Sequence, residues 1–251
     1  MDEVNSYTNF ASLYDRLMHK DFEYEQWADY LENLFSHYGK NPQLVADLAC
    51  GTGNMTIPLS RRGYEMIGLD ASEDMLNIAR EKAQAEGLDI LFLRQNMTRM
   101  DLYGTVDAFL CMIDGMNYVL NPESLQRMFR LMKTCFLDPD GIFIFDISTE
   151  HKLAETIGNQ TFNYSDETLF YSWENRYLTK KRISDMYLTF FVKQKKGGYR
   201  RFSERHLQRA YRPEELVTML KKAGFSEVDC YDELSFDAPK PDADRIVFVA
   251  R

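Results

Sequence analysis

Residues 46–54 read ADLACGTGN. An aspartate, Asp47, interrupts an apolar run, and two glycines one residue apart, Gly51 and Gly53, follow at once. Glycine lets a backbone pass close to a ligand with no Cβ in the way, and open α/β sheets bind ligands at the carboxyl ends of their strands. The stretch therefore predicts a nucleotide-binding turn between a strand and a helix. A dinucleotide site would place a third glycine where this chain has Thr56, because that glycine packs helix against strand. A nicotinamide cofactor is disfavoured on that ground. Asp70 ends the next apolar run, 17 residues past Gly53, near the distance at which a carboxylate accepts ribose hydroxyls. It also stands where it would help cap a helix beginning near Ser72.

Outward from the turn, strand and helix patterns alternate. QLVADLAC, EMIGLD, DILFLRQN, VDAFLCMID and GIFIFDIS read as strands. Between them NMTIPLSRRG, SEDMLNIAREKAQAEG and PESLQRMFRLMKTCF read as helices, with Ser72 as an N-cap and Pro122 in a first turn. Such alternation predicts a doubly wound parallel sheet with helices on both faces. Residues 8–38 show helical spacing in two stretches ahead of the first strand. From residue 160 the chain becomes rich in aromatic and β-branched residues, with a Gly197-Gly198 turn signal, which predicts an antiparallel meander. A helix over RPEELVTMLKKAGF and strands at EVDCYDE and RIVFVAR return the pattern to α/β. Residues 1–150 and 211–251 thus form one domain, and 151–210 an insertion.

Composition narrows the function. Hydrophobic residues make up 45% and charged residues 27%, as in folded soluble domains. No apolar run is long enough to cross a bilayer and MDEVNSYTNF lacks a signal-peptide pattern, so a cytoplasmic protein is expected. The scattered Cys50, Cys111, Cys135 and Cys230 show neither a disulfide framework nor a zinc spacing and are read as reduced packing residues. A net charge of −9 opposes binding to phosphate backbones. Basic runs at Lys180 to Arg182 and Lys193 to Arg201 are read as solvated hairpin edges.

VADLACGTG, IGLDAS, RQNMTRMDL and VDAFLCMIDGMNYV, in this order and spacing, resemble the successive motifs of class I S-adenosylmethionine-dependent methyltransferases. FASLYDRLM, YSWEN and ERHLQRAY resemble a bacterial small-molecule subgroup with a β-rich insertion. The resemblance implies a Rossmann-like seven-stranded sheet, S-adenosyl-L-methionine as methyl donor and S-adenosyl-L-homocysteine as product. It puts Asp47 beneath the methionine part of the donor, the Gly51-Thr52-Gly53 backbone along its amino acid and ribose, and Asp70 on the ribose hydroxyls. Ala71 and Met75 join the same donor-binding set. Asn96 is matched to the adenine amino group and Met97 to the ring, and Tyr14 is either a cover for the donor or a packing residue on its helix face. Two departures stand out: Ala49 occupies a place usually held by glycine, and Asn96 one usually held by aspartate.

Methyl transfer is an in-line displacement at carbon, so positioning carries most of the rate. A base matters only for an acceptor that must shed a proton early. Asp114, Asn117 and Tyr118, in the family's acceptor-facing stretch, are candidates for orienting a substrate, with turn formation and capping as the plainer roles of Asp114 and Asn117. His206, with Glu204 on the same face of a strand, is a candidate base, or else a hydrogen-bonded histidine at a strand end. Tyr171, Trp173, Tyr177, Tyr187 and Tyr211 would line an acceptor pocket or form one packed face of a sheet. No metal spacing is present. The expected activity is methylation of an N or O atom of a small molecule by a monomer or homodimer. An RNA methyltransferase and a non-catalytic donor-binding protein are the alternatives.

Overall fold

The computed structural model describes Ala11, Leu13, Asp15 and residues 22–251. Tyr14 and most of the first expected helix lie outside the described residues. In chain order the elements are α1 (Tyr24–His37), β1 (Leu44–Leu48), α2 (Thr56–Arg61), β2 (Glu65–Asp70), α3 (Glu73–Ala85), β3 (Leu91–Arg94), β4 (Val106–Cys111), α4 (Pro122–Leu131) and β5 (Leu137–Ser148). Then follow β6 (Thr161–Ser165), β7 (Leu169–Leu178), β8 (Ile183–Lys193), β9 (Tyr199–Arg209), α5 (Pro213–Ala223), β10 (Val228–Asp232) and β11 (Arg245–Ala250).

Seven strands form one sheet in the order β3-β2-β1-β4-β5-β11-β10. Strands β1 to β5 run parallel, and β11 enters antiparallel between β5 and β10. Both faces are covered, so its strands are apolar on both sides. Ala46, Leu48, Phe109, Phe143, Phe145 and Phe248 meet α4 and α5 on one face. Val45, Leu110, Ile144, Val247 and Val249 meet Trp27, Leu31, Leu34 and Phe35 of α1 on the other. The strand order reverses at β1, with β2 on one side and β4 on the other. Loops leaving β1 and β4 therefore diverge and open a crevice at the strand ends.

The remaining strands make a second, antiparallel sheet in the order β6-β7-β8-β9. Strand β6 was not marked in the sequence, since TFNYS is a short edge strand with mostly exposed residues and little alternation. Successive side chains of a strand point to opposite faces, and the register aligns Tyr171 with Phe190 and Phe202, and Trp173 with Leu188 and Glu204. That face turns inward. Its Leu169 and Phe190 pack on Met75 of α3 and on Ala11. Tyr187 pairs with Glu174 and Arg205 on the opposite face and is 42% exposed, so it lines no pocket. Cys135, read as a packing residue, is exposed, because the helix pattern ends at Leu131 in a wider π turn that shifts its phase. No helix of the described residues is long and apolar enough to cross a membrane.

Candidate active site

A cavity of about 760 Å³ lies over the carboxyl ends of β1, β2 and β4, under the inward face of the second sheet. The first sheet contributes Ala49, Gly51, Asp70, Ala71, Met75, Asn96, Met97, Asp114 and Tyr118 to its wall, and the second contributes Tyr171, Trp173, Met186 and His206. The remaining expected site residues that are described, Asp47, Thr52, Gly53, Asn117 and Tyr211, sit behind that wall.

The glycine turn shows why. Gly51 has φ +56°, and a Cβ there would meet no protein atom within 4 Å, so its open side is the cavity. Its N–H donates to the Asp70 carboxylate at 2.9 Å, and Ser72 N–H donates to the other oxygen at 2.8 Å. Burial raises the Asp70 carboxyl above its ordinary range, although these backbone bonds oppose it. Gly53 serves packing instead, since a Cβ would stand 3.3 Å from Ala79 of α3. Thr52 turns away to donate to Asp15, which also takes bonds from Asn54 and Lys82. Burial alone would raise the Asp15 carboxyl, but its bonds to Lys82, Thr52 and Asn54 hold it below the usual value.

Thr56 has a use of its own where a third glycine is missing. Its hydroxyl donates to Asp47 at 2.6 Å. That carboxyl is 2% exposed, and burial, with the charge of Asp70 adding to it, pushes it up to about 7 despite the bond from Thr56. Asn96 caps the short turn Met97–Arg99, its side-chain oxygen accepting from Thr98 N–H at 2.9 Å and from the Thr98 hydroxyl at 2.7 Å. Its NH2 is then the group it can offer a ligand, a donor where an acceptor for an amino group was expected.

Three non-glycine residues on the cavity wall hold left-handed backbone: Ala49 (φ +55°), Ile113 (φ +58°) and Asp114 (φ +52°). Such conformations cost roughly 1–3 kcal/mol each and persist only where surrounding contacts hold them. Asp114 is held by a buried network that the sequence reading missed. Its N–H donates to Asp146 at 2.6 Å, Gln208 donates to one of its oxygens, and Arg245 stands 3.2 Å from the other. Arg245 also reaches Asp146 at 2.5 Å and Glu233 at 3.2 Å, and lies over the Phe22 ring. Burial pushes the Asp114 carboxyl up, but the charges of Arg245 and Lys152 and the bond from Gln208 outweigh it and leave it below the ordinary value. Asp146 is raised, by burial first and by Asp114 next. A carboxylate and a guanidinium inside the apolar runs GIFIFDIS and RIVFVAR were the available signal, because buried charges are normally paired.

Of the residues expected to orient an acceptor, Asn117 is fully buried. It donates to the carbonyls of Ser148 and Arg209 and accepts from Ser148 N–H, each at 2.9 Å. Tyr211, also buried, donates its hydroxyl to the Val119 carbonyl. His206 is 5% exposed, and burial lowers its imidazole to about 4, so the ring is neutral near pH 7. Tyr118 brings its hydroxyl to 3.5 Å from His206 Nδ1. Glu204 shares the inward face and is buried beside it.

Comparison with known proteins agrees with this geometry. A methyltransferase-domain family model matches residues 45–141. The chain is 34% identical to the methyltransferase-family protein YqeM of Bacillus subtilis (strain 168), over 98% of this chain and 96% of that protein. A crystal structure of an S-adenosylmethionine-dependent methyltransferase from Clostridium acetobutylicum ATCC 824 superposes with a TM-score of 0.88 at 31% identity, covering 98% of each chain. At 20% identity the fold is shared with a sugar N-methyltransferase from Streptoalloteichus sp ATCC 53650, with a TM-score of 0.77 over 100% of this chain and 96% of that one. With the motifs of residues 44–148 seated around one cavity at the switch point, the chain belongs to the class I S-adenosylmethionine-dependent methyltransferases.

Proposed function

We propose that this methyltransferase modifies a nitrogen or oxygen atom of a small molecule held between the strand ends and the inward face of residues 151–210. The observation that carries this reading is the continuity of the cavity, whose wall runs from Gly51 and Asp70 to Trp173 and His206. The donor half suits S-adenosylmethionine. Gly51 leaves a cradle that a Cβ would enter, the Asp70 carboxylate faces it, and Met97 offers a soft surface for a ring. When bound, the donor supplies an electrophilic methyl on a sulfonium and leaves as S-adenosylhomocysteine.

The chain's own residues divide the remaining work. Asp47 lies under the donor's amino-acid end, the Gly51 backbone follows it with Thr52 and Gly53 bracing the turn from behind, and Ala71 and Met75 flank the ribose held by Asp70. The Asn96 NH2 donates to the adenine edge. Asp114, Tyr118 and Trp173 face the acceptor, while Asn117 and Tyr211 act from behind, holding the strands that carry them. A neutral His206 accepts a hydrogen bond readily but keeps a proton poorly at neutral pH, so orientation is the larger contribution, worth up to ~7–11 kcal/mol. The second sheet roofs the cavity and excludes water.

A second reading, RNA methylation, is favoured by one feature. Residues 161–210 hold eleven Lys and Arg against five Asp and Glu, in a chain of net charge −9. Labelled methyl transfer separates the two. Incorporation into a metabolite pool with none into stripped RNA supports the small-molecule reading, and the reverse outcome overturns it.

A further inference from the structure

The second sheet has an outward face that the cavity does not use. Strand alternation sends Tyr171, Leu188, Phe190 and Phe202 inward to the apolar cluster beneath the sheet. The residues between them point away. Register places Phe191 between Phe170 and Arg201, Tyr187 between Glu174 and Arg205, and Lys193 beside Tyr199. Phe170, Tyr187 and Tyr199 are 37%, 42% and 58% exposed, and the rings of Phe170 and Phe191 stand 5.9 Å apart. Among the described residues, none of these four rings joins a buried apolar cluster.

Cations gather on the same face. Arg176, Lys193, Arg201 and Arg205 lie on it, and Lys195 and Lys196 follow in the turn that joins β8 to β9. Of the carboxylates, Glu174 and Asp185 share the face, Asp166 and Glu167 stand in the neighbouring turn, and Arg205 holds Asp185 at 2.7 Å. Residues 161–210 carry a net +6 and the rest of the chain −15, so the overall −9 hides a basic surface on an acidic protein. Such asymmetry is the electrostatic footprint of a polyanion site.

Protection of sheet edges, the plainer use of such cations, does not account for this face. The edge strands are β6 and β9, and cations that block edge pairing belong on them. Strand β6 has none, whereas Arg176, Lys193 and the rings of Phe170, Tyr187 and Phe191 stand on the central strands β7 and β8. Exposed rings beside cations on an open sheet match unpaired bases, which stack on aromatic side chains while their phosphates pair with Lys and Arg. A duplex would cover the cations and leave the rings unused. Between the two rows of rings, the hydroxyls of Ser172, Thr189 and Ser203 cross the face, and they suit a 2′-hydroxyl, which both donates and accepts.

We infer that the outward face of the second sheet docks single-stranded RNA, with Phe170, Phe191 and Tyr187 stacking on bases and Lys193, Lys195, Lys196 and Arg201 pairing with phosphates. That face points away from the cavity, so RNA bound there is a docking partner and need not be the methyl acceptor.

The test is fluorescence anisotropy of a labelled oligouridylate of about twelve nucleotides, titrated with the full chain at several salt concentrations. Saturable binding is expected, with log affinity falling against log salt at a slope of about −3. Lys195→Gln, Lys196→Gln and Arg201→Gln together should weaken it and flatten the slope by about 2. Phe170→Ala with Tyr187→Ala should weaken it about tenfold at unchanged slope. The matching oligodeoxyuridylate should bind more weakly, and Lys221→Gln with Lys222→Gln, on α5 against the first sheet, should change nothing. Each substituted side chain is exposed, so circular dichroism should be the same in every variant. No saturable binding at the lowest salt, equal affinity in the parent and both face variants, or an equal loss in the α5 variant overturns the inference. Equal or tighter binding of the deoxy strand also overturns it, as does binding of phosphatidylglycerol vesicles without binding of RNA, which assigns the face to a membrane.

Discussion

The guanidinium of Arg245 stands 2.5 Å from the carboxylate of Asp146, although the two residues are 99 positions apart in the chain. Both are buried, and β11 runs antiparallel to β5 so that its first residue meets the last turns of that strand. Arg245 and Asp114 stand on the cavity wall, with Asp146 buried behind them. Removing one partner of a buried pair strands the others, at about 3–5 kcal/mol. Arg245→Ala should therefore lose stability of that order in urea unfolding, and a loss below about 1 kcal/mol would contradict this role.

Asn117 joins the end of β5 to the end of β9 through three bonds. Asn117→Ala leaves three backbone groups unpaired, and about 2–3 kcal/mol should be lost. Limited proteolysis should then cut residues 161–209 faster than in the parent protein. An unchanged unfolding midpoint would return Asn117 to the acceptor-orienting role read from the sequence.

The two glycines of the opening turn should respond differently to alanine. At Gly51 a methyl enters the cavity, so affinity for S-adenosylhomocysteine should fall by about tenfold or more with about 1 kcal/mol of backbone strain. At Gly53 the same methyl presses on Ala79 and the strain is similar, so stability should fall first. Calorimetry and thermal unfolding of both variants check this, and equal effects on binding would contradict the division.

His206 gives a pH dependence of stability whose sign follows from burial. Its folded-state pKa of about 4 lies below the ordinary 6.5, so the unfolded chain binds the proton more readily between those values. The contribution is complete above pH 6.5, shrinks as pH falls toward 4, and amounts to at most about 3 kcal/mol. Urea midpoints at pH 4.5 and 7 should differ less in His206→Phe than in the parent, and equal differences would argue against a buried neutral imidazole.

Much of the architecture was legible because its signals are local. The turn at Gly51 and Gly53, the cap at Ser72 and the apolar runs of β1 to β5 each show in a window of a few residues. What escaped depends on distant residues meeting. Gln208, Arg245 and Asp146 come from separate elements, and only the antiparallel entry of β11 and the fold of the second sheet bring them to Asp114. Face assignment within the meander needed the register, which moved Tyr187 to solvent while keeping Tyr171 and Trp173 on the cavity. Thr56 was legible as a missing glycine but not as the partner of Asp47, since that bond needs the three-dimensional turn.

The most direct test of the account is a calorimetric titration of S-adenosylhomocysteine into the parent protein and into Asp70→Ala. The expected result is saturable one-to-one binding to the parent, weakened about a hundredfold or more by loss of the carboxylate proposed to accept the ribose hydroxyls. No heat with the parent, or equal affinity in both proteins, would contradict a donor lying across the ends of β1 and β2.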